Sequence, residues 1–108
     1  MKKKLVLLTL SAIIFTTAFA KVLTTTFKVE GQCGECKERI EAALDAEGVI
    51  FAEWDVDSKL LTVKYNNKKI SLDDVHAKIS AAGYSTSKVK ANPTAEKLLP
   101  GCCQPGGH

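Results

Sequence analysis

The sequence contains no run of roughly 20 apolar residues, the length a helix needs to span a bilayer. Its longest largely apolar stretch, Leu5 to Phe15, falls well short of that length. The stretch follows the basic cluster Lys2-Lys3-Lys4 and precedes Ala18-Phe19-Ala20, which is the layout of a secretory signal with small residues at its cleavage site. A mature chain from Lys21 to His108 is therefore expected, in the periplasm or outside the cell, with an uncleaved anchor as the alternative. Residue 21 is lysine rather than cysteine, so lipid attachment of the bacterial lipoprotein kind is not expected.

An excess of one charge is also missing once the leader is removed. The full chain has 15 basic and 12 acidic residues, and Lys2, Lys3 and Lys4 account for the difference. A neutral mature domain lacks the electrostatic footprint that phosphate binding needs, which argues against nucleic acid as a partner and equally against a membrane surface. Cysteine is scarce too: there are four, grouped as Cys33 with Cys36 and Cys102 with Cys103. A small exported scaffold held by disulfides spreads its cysteines through the fold. Export keeps disulfides open as an alternative, but this clustering reads as a site. The length remaining after Ala20 suits one small domain with a core of marginal size.

The middle of the chain has clear periodicity. Leu23, Thr25, Phe27 and Val29 alternate with polar neighbours and predict a first strand. Helical spacing of Cys36, Ile40, Ala43, Leu44 and Glu47 predicts an amphipathic helix beginning under Cys36, with Glu35 and Arg39 as an i,i+4 pair and Gly48 at its end. Ala52, Trp54 and Val56, then Leu61, Val63 and Tyr65, predict a hairpin turning near Asp57-Ser58. Ser71 with Asp74 resembles a capping arrangement for a second helix with the stripe Leu72, Val75, Ile79 and Ala82, closed by Gly83. Tyr84 to Val89 can supply a last strand. This order matches the split βαβ of ferredoxin-like α+β folds, with a four-stranded antiparallel sheet and two helices on one face. His76 is expected on the helix surface, and Trp54 in the core.

The chemistry lies in Cys33-Gly34-Glu35-Cys36 at the strand-to-helix junction. Two thiolates separated by two residues can close on one ion, and a helix N-terminus favours the ionised thiol. Thiolate sulfur selects Cu(I), Zn and similar soft ions over Mg or Ca. Glu30 and Glu35 lie nearby and read as solvent-facing charge.

From about Val22 to Val89 the chain resembles the heavy-metal-associated domain family, which includes copper chaperones, N-terminal domains of metal-transporting ATPases and the periplasmic mercuric-ion-binding protein. The resemblance rests on Cys33-x-x-Cys36 after the first strand, the helix beneath it, Gly48-Val49 before the second strand, and Ala82-Gly83-Tyr84 after the second helix. It implies a domain over residues 21–90 in which Cys33 and Cys36 bind one metal ion, most often Cu(I) or Hg(II), and pass it on by ligand exchange. It also implies that Tyr84 is the aromatic beside the site. The family pattern Gly-Met-Thr-Cys-x-x-Cys is broken here, because Glu30-Gly31-Gln32 precede Cys33 and the methionine that packs beneath the loop is absent.

Residues 91–108 extend beyond the family fold. Asn92-Pro93 can cap a short helix over Thr94 to Leu99, and Pro100-Gly101 breaks it. Cys102-Cys103 and the terminal His108 then form a second group of soft ligands. If a last strand carries the chain away from the loop, the return is one strand length, roughly 20 Å, and the tail reaches about 25 Å. Cys102 or Cys103 is thus expected to join Cys33 and Cys36, as a third thiolate or as a disulfide partner. The alternative is that the tail pair binds an ion of its own or has no metal role.

These observations favour a non-enzymatic, exported metal carrier. Cu(I) is the first expectation for the metal, followed by Hg(II) and Zn(II). A metal-transporting membrane protein or another metal acceptor is the expected partner. A monomer is expected, with a metal-bridged dimer as the variant. Two readings compete: a thiol-disulfide redox protein using Cys33 and Cys36, and an interaction module held by a disulfide. No tryptophan precedes Cys33, no proline separates the cysteines, and the element order is not that of a thioredoxin.

Overall fold

The computed structural model describes residues 21–105. The expected leader, residues 1–20, and His108 lie outside the described residues. The elements run β1 (Val22–Lys28), α1 (Gly34–Ala43), β2 (Val49–Trp54), β3 (Leu60–Asn66), α2 (Leu72–Ala81) and α3 (Pro93–Lys97), followed by a 3-10 turn at Gly101–Cys103. The strands form one antiparallel sheet in the order β1-β3-β2. Leu23 pairs with Tyr65, Thr25 with Val63 and Phe27 with Leu61, so these side chains share one face. Against that face pack Ile40 and Leu44 of the α1 region and Val75 and Ile79 of α2, in one continuous core with Trp54, Leu61, Val63 and Tyr65.

The fold is the expected ferredoxin-like α+β arrangement, but the fourth strand is not formed. Tyr84 to Val89 makes a single bridge, Val29 to Thr86, supported by Glu30 N–H to Ser85 O at 2.8 Å and Ser87 N–H to Lys28 O at 3.0 Å. The cause is Thr86, whose Oγ1 accepts from the amides of Lys88 and Val89, both at 3.0 Å. A threonine hydroxyl that satisfies its own following amides offers the backbone a turn in place of a ladder. The chain therefore reverses at once and runs back beside α2, with Ser80 Oγ donating to Lys90 O at 2.7 Å and Asn92 N–H to Ser80 O at 3.0 Å.

The ends of the first two helices position the cysteine loop and the tail. α1 stops at Ala43 rather than at Gly48, because the amides beyond it tighten to i−3 bonds, Leu44 to Glu41 O and Asp45 to Ala42 O. α2 carries the expected capping box, with Asp74 N–H to Ser71 Oγ at 3.0 Å and Ser71 N–H to Asp74 Oδ2 at 3.2 Å. It closes through Gly83 at φ +103. Gly83 N–H bonds Ser80 O and Tyr84 N–H bonds Ile79 O, the pair of bonds that a left-handed residue makes possible.

His76 corrects the surface expectation: it is 3% exposed. Its ring stacks on Phe27 at 4.1 Å between centroids, and Nδ1 meets Thr86 Oγ1 at 2.7 Å. Four residues after Leu72 and three before Ile79, it stands on the apolar stripe, and Thr86 supplies the polar partner that burial requires.

Candidate metal centre

The first cysteine pair brackets the opening turn of α1. Cys33 is the N-cap, extended at φ −149, and the helix begins at Gly34, two residues before the expected start. Cys36 is three residues further on and fully buried, while Cys33 is half-buried. Their sulfurs lie 3.7 Å apart. The loop ahead of them is fixed from below. A Cβ on Gly31 would fall 2.7 Å from Cη2 of Trp54 and 3.1 Å from Cδ1 of Ile40. Gly31 stands where the family pattern has methionine, and the indole of Trp54 occupies the space beneath it.

Trp54 is held in turn by Nε1, which donates to Val29 O and Lys59 O at 3.1 Å each. Lys59 sits at φ 64, a left-handed conformation that is unfavourable for a side chain with a Cβ. Its Nζ reaches Gly31 O at 2.8 Å and lies 5.8 Å from the Trp54 ring centre. Sequence spacing marks Lys59 only as a hairpin residue and Trp54 only as core. The tertiary fold reveals both as supports of the cysteine loop, since neither contact has a local sequence signal.

The second pair arrives on the tail. Asn92 caps α3 as expected, Oδ1 accepting from Ala95 N–H at 3.0 Å with Pro93 at the first position. Leu99 is buried, and Gln104 Nε2 donates to Lys97 O at 3.1 Å and Leu99 O at 3.0 Å, satisfying carbonyls at the helix end. The backbone of α3 lies against Gly83, where a Cβ would be 3.1 Å from Ala95 C and O. The chain thus reaches the loop by turning back at Thr86, without the strand-length return expected from a fourth strand.

The structure brings the two clusters together. Cys102 Sγ is 3.3 Å from Cys33 Sγ and 4.0 Å from Cys103 Sγ. The sulfurs of Cys33, Cys36 and Cys103 all lie within 4.8 Å of one another. Cys103 is buried and Cys102 half-buried, so the tail sends one sulfur inward and leaves one at the rim. Glu35 Oε1 is 3.7 Å from Cys102 Sγ, while its Oε2 pairs with Arg39 at 3.5 Å. Glu30 is exposed and lines, with Gln32, Glu96 and Cys103, a cleft of about 300 Å³ beside the tail.

The thiols differ in acidity for identifiable reasons. The backbone amide of Cys36, followed by the Cys102 thiol, holds Cys33 down at about 7. Burial, with Cys36 beside it, pushes Cys103 up to about 12. The Cys33 thiol beside it also raises Cys102. Tyr84 lies beneath them, 1% exposed. Burial, then the Cys103 thiol, raises its phenol well above the ordinary value. The Tyr84 hydroxyl closes no hydrogen bond of ordinary geometry.

Fold and site together define a small ferredoxin-like domain that presents clustered thiols at the junction of β1 and α1. Residues 26–85 match the heavy-metal-associated domain family, and the chain belongs to it. It is 34% identical over 58 residues to the copper chaperone CopZ of Staphylococcus aureus (strain bovine RF122 / ET3-1), a match covering 52% of this chain and 85% of that one. Among solved structures it resembles the N-terminal domain of a potential copper-translocating P-type ATPase from Bacillus subtilis in its Cu(I)-loaded state. There the TM-score is 0.58 at 32% identity, over 61% of this chain and 85% of that one. It also resembles oxidized MerP from Ralstonia metallidurans CH34, with a TM-score of 0.59 at 25% identity, over 62% and 96% of the two chains. The family match ends at residue 85, so the tail cysteines lie outside it.

Proposed function

We propose that the protein is an exported carrier of a soft metal ion, Cu(I) first among them, which binds through Cys33 and Cys36 with Cys103 as a third thiolate and passes the ion to an acceptor by ligand exchange. The observation that carries the reading is the set of three sulfurs within 4.8 Å, drawn from the cysteine loop and from the tail. Sulfur-only donors of this kind suit Cu(I) and, at a closed tetrahedral site, Zn(II). The copper chaperone and copper ATPase relatives favour Cu(I) and a metal-transporting membrane protein as acceptor.

Two further features agree with thiolate binding. The N-terminus of α1 directs partial positive charge at Cys33 and Cys36. The orphaned Tyr84 hydroxyl lies beside Cys103 and Cys36, and it would gain an acceptor once a metal holds these sulfurs as thiolates, which accept hydrogen bonds far better than thiols. Transfer then begins at Cys33, the one half-buried ligand of the three, since Cys36 and Cys103 are buried.

Competitive titration of the reduced protein with Cu(I), Hg(II) and Zn(II) tests the reading. Tight Cu(I) binding that Cys33→Ser or Cys36→Ser abolishes and Cys103→Ser weakens is expected. Binding indifferent to all three substitutions would overturn it. The export step is checked by the N-terminal residue of the protein recovered from the cell envelope, expected to be Lys21. A redox role is the second reading, favoured by the acidity of Cys33 and its two close sulfur neighbours. Insulin reduction by the metal-free protein would support it, and its absence is expected.

A further inference from the structure

The outermost sulfur, Cys102, has no place in a three-thiolate centre, yet its sulfur is nearer to Cys33 than Cys36 is, at 3.3 Å against 3.7 Å. The four sulfurs describe two triangles. Cys33, Cys36 and Cys103 form the inner one. Cys33, Cys102 and Cys103 form the outer one, with edges of 3.3 Å from Cys33 to Cys102 and 4.0 Å from Cys102 to Cys103. The Cys33 and Cys103 edge is common to both. We propose that the protein holds two Cu(I) ions in one chain, with Cys33 and Cys103 as bridging thiolates, Cys36 as the inner terminal ligand and Cys102 as the outer one. This inference rests on the carrier reading above and extends it to the stoichiometry of the site.

Two physical arguments support the second ion. Thiolate sulfur keeps lone pairs after binding one soft ion, so a shared edge is open to a second without any new residue. Each Cu(I) brings one positive charge and each thiolate one negative, so adding the outer ion together with the Cys102 thiolate leaves the net charge of the cluster unchanged. The buried site therefore meets no additional desolvation of net charge on the second loading. Binding involves no redox step: each thiol releases its proton to solvent as its sulfur binds, and copper stays Cu(I) throughout.

Backbone placement supports the same assignment. Neighbouring cysteines in an extended chain point to opposite sides and cannot serve one cluster, whereas here the 3-10 turn at Gly101–Cys103 brings both sulfurs to the same loop. The turn is fixed by Cys103 N–H to Pro100 O at 2.9 Å and Gln104 N–H to Gly101 O at 3.2 Å. The Glu35 carboxylate lies 3.7 Å from Cys102 Sγ, where its negative charge favours a cation at the rim.

The test is native mass spectrometry and chelator-competed titration of the reduced protein with Cu(I), run beside size-exclusion chromatography. Two Cu(I) per monomer are expected for the wild-type chain and one for Cys102→Ser, with the affinity of the first ion kept within a few-fold. X-ray absorption of the doubly loaded wild type is expected to show a short copper–copper vector, which keeps the proposal testable should Cys102→Ser fold poorly. One Cu(I) in the wild type, two in Cys102→Ser, or a second ion present only in a dimer would each overturn the two-ion site and leave the carrier reading standing. A wild-type protein that binds no Cu(I) would overturn both.

Discussion

The backbone of Ala95 lies directly on Gly83, so close that a methyl group there would fall 3.1 Å from both the carbonyl carbon and the oxygen of Ala95. One residue thus ends α2 and seats α3. Gly83→Ala meets two obstacles: a left-handed φ, which costs about 1–2 kcal/mol for a residue with a Cβ, and the α3 backbone. The expected outcome is a loss of at least that stability in urea together with faster alkylation of Cys103, because α3 lifts from its seat. Gly101→Ala, where a Cβ meets nothing within 4 Å, is expected to change neither. Urea denaturation and mass-resolved thiol labelling give the two readouts.

Restoring the family methionine is expected to harm this protein. Gly31→Met would place its Cβ against the Trp54 ring and Ile40, an overpacking worth about 1–3 kcal/mol. Combining it with Trp54→Leu opens the space beneath the loop and is expected to recover part of the loss. A double-mutant cycle in urea measures the coupling; additive effects would separate the two residues.

Alkylation against pH should resolve the thiols one by one. Cys33, lowered to about 7 by the Cys36 amide and the Cys102 thiol, is expected to react with a midpoint near that value. Cys103, raised to about 12 by burial, is expected to stay protected across the neutral range. The linkage signs are opposite. The stability that Cys33 contributes is complete above pH 9 and is lost as pH falls through 7. For Cys103 it is complete below pH 9 and is lost as pH rises toward 12. Urea midpoints of the reduced, metal-free protein from pH 6 to 10, repeated on Cys33→Ser and Cys103→Ser, check both.

His76 predicts an acid limb. Burial holds it below the ordinary imidazole value, and the Lys88 ammonium acts in the same direction. A histidine held neutral in the fold leaves stability complete above about 6.5, with loss as pH falls below that value toward the folded one. His76→Phe keeps a ring against Phe27 but leaves Thr86 Oγ1 without this partner, and is expected to cost about 1 kcal/mol at neutral pH. The same substitution is expected to flatten the acid limb, as followed by thermal melts from pH 7 to 4.

Periodicity made most of this fold legible. Alternation in β1 and β3, the stripe of Ile40 and Leu44, and the Ser71 and Asp74 capping pair all depend on local spacing, and each forms where the spacing puts it. What escaped the sequence depended on side chains with two options. Thr86 can pair in a strand or bind its own amides, and its hydroxyl took the amides. His76 occupies a stripe position that suits burial only when a distant hydrogen-bonding partner waits there. The Cys33 and Cys36 pair was legible from spacing alone. The inward course of Cys103 and the rim position of Cys102 were not, since both depend on the turn at Thr86 and on the seat at Gly83.

Trp54 is the only tryptophan in the chain. Its indole is fully buried under Gly31 and anchored through the carbonyls of Val29 and Lys59. The molecule consequently contains a single indole fluorophore, shielded from solvent and placed beneath the cysteine loop. Excited where tyrosine does not absorb, that one residue reports any rearrangement of the loop, so the protein carries its own optical gauge of the state of its thiols.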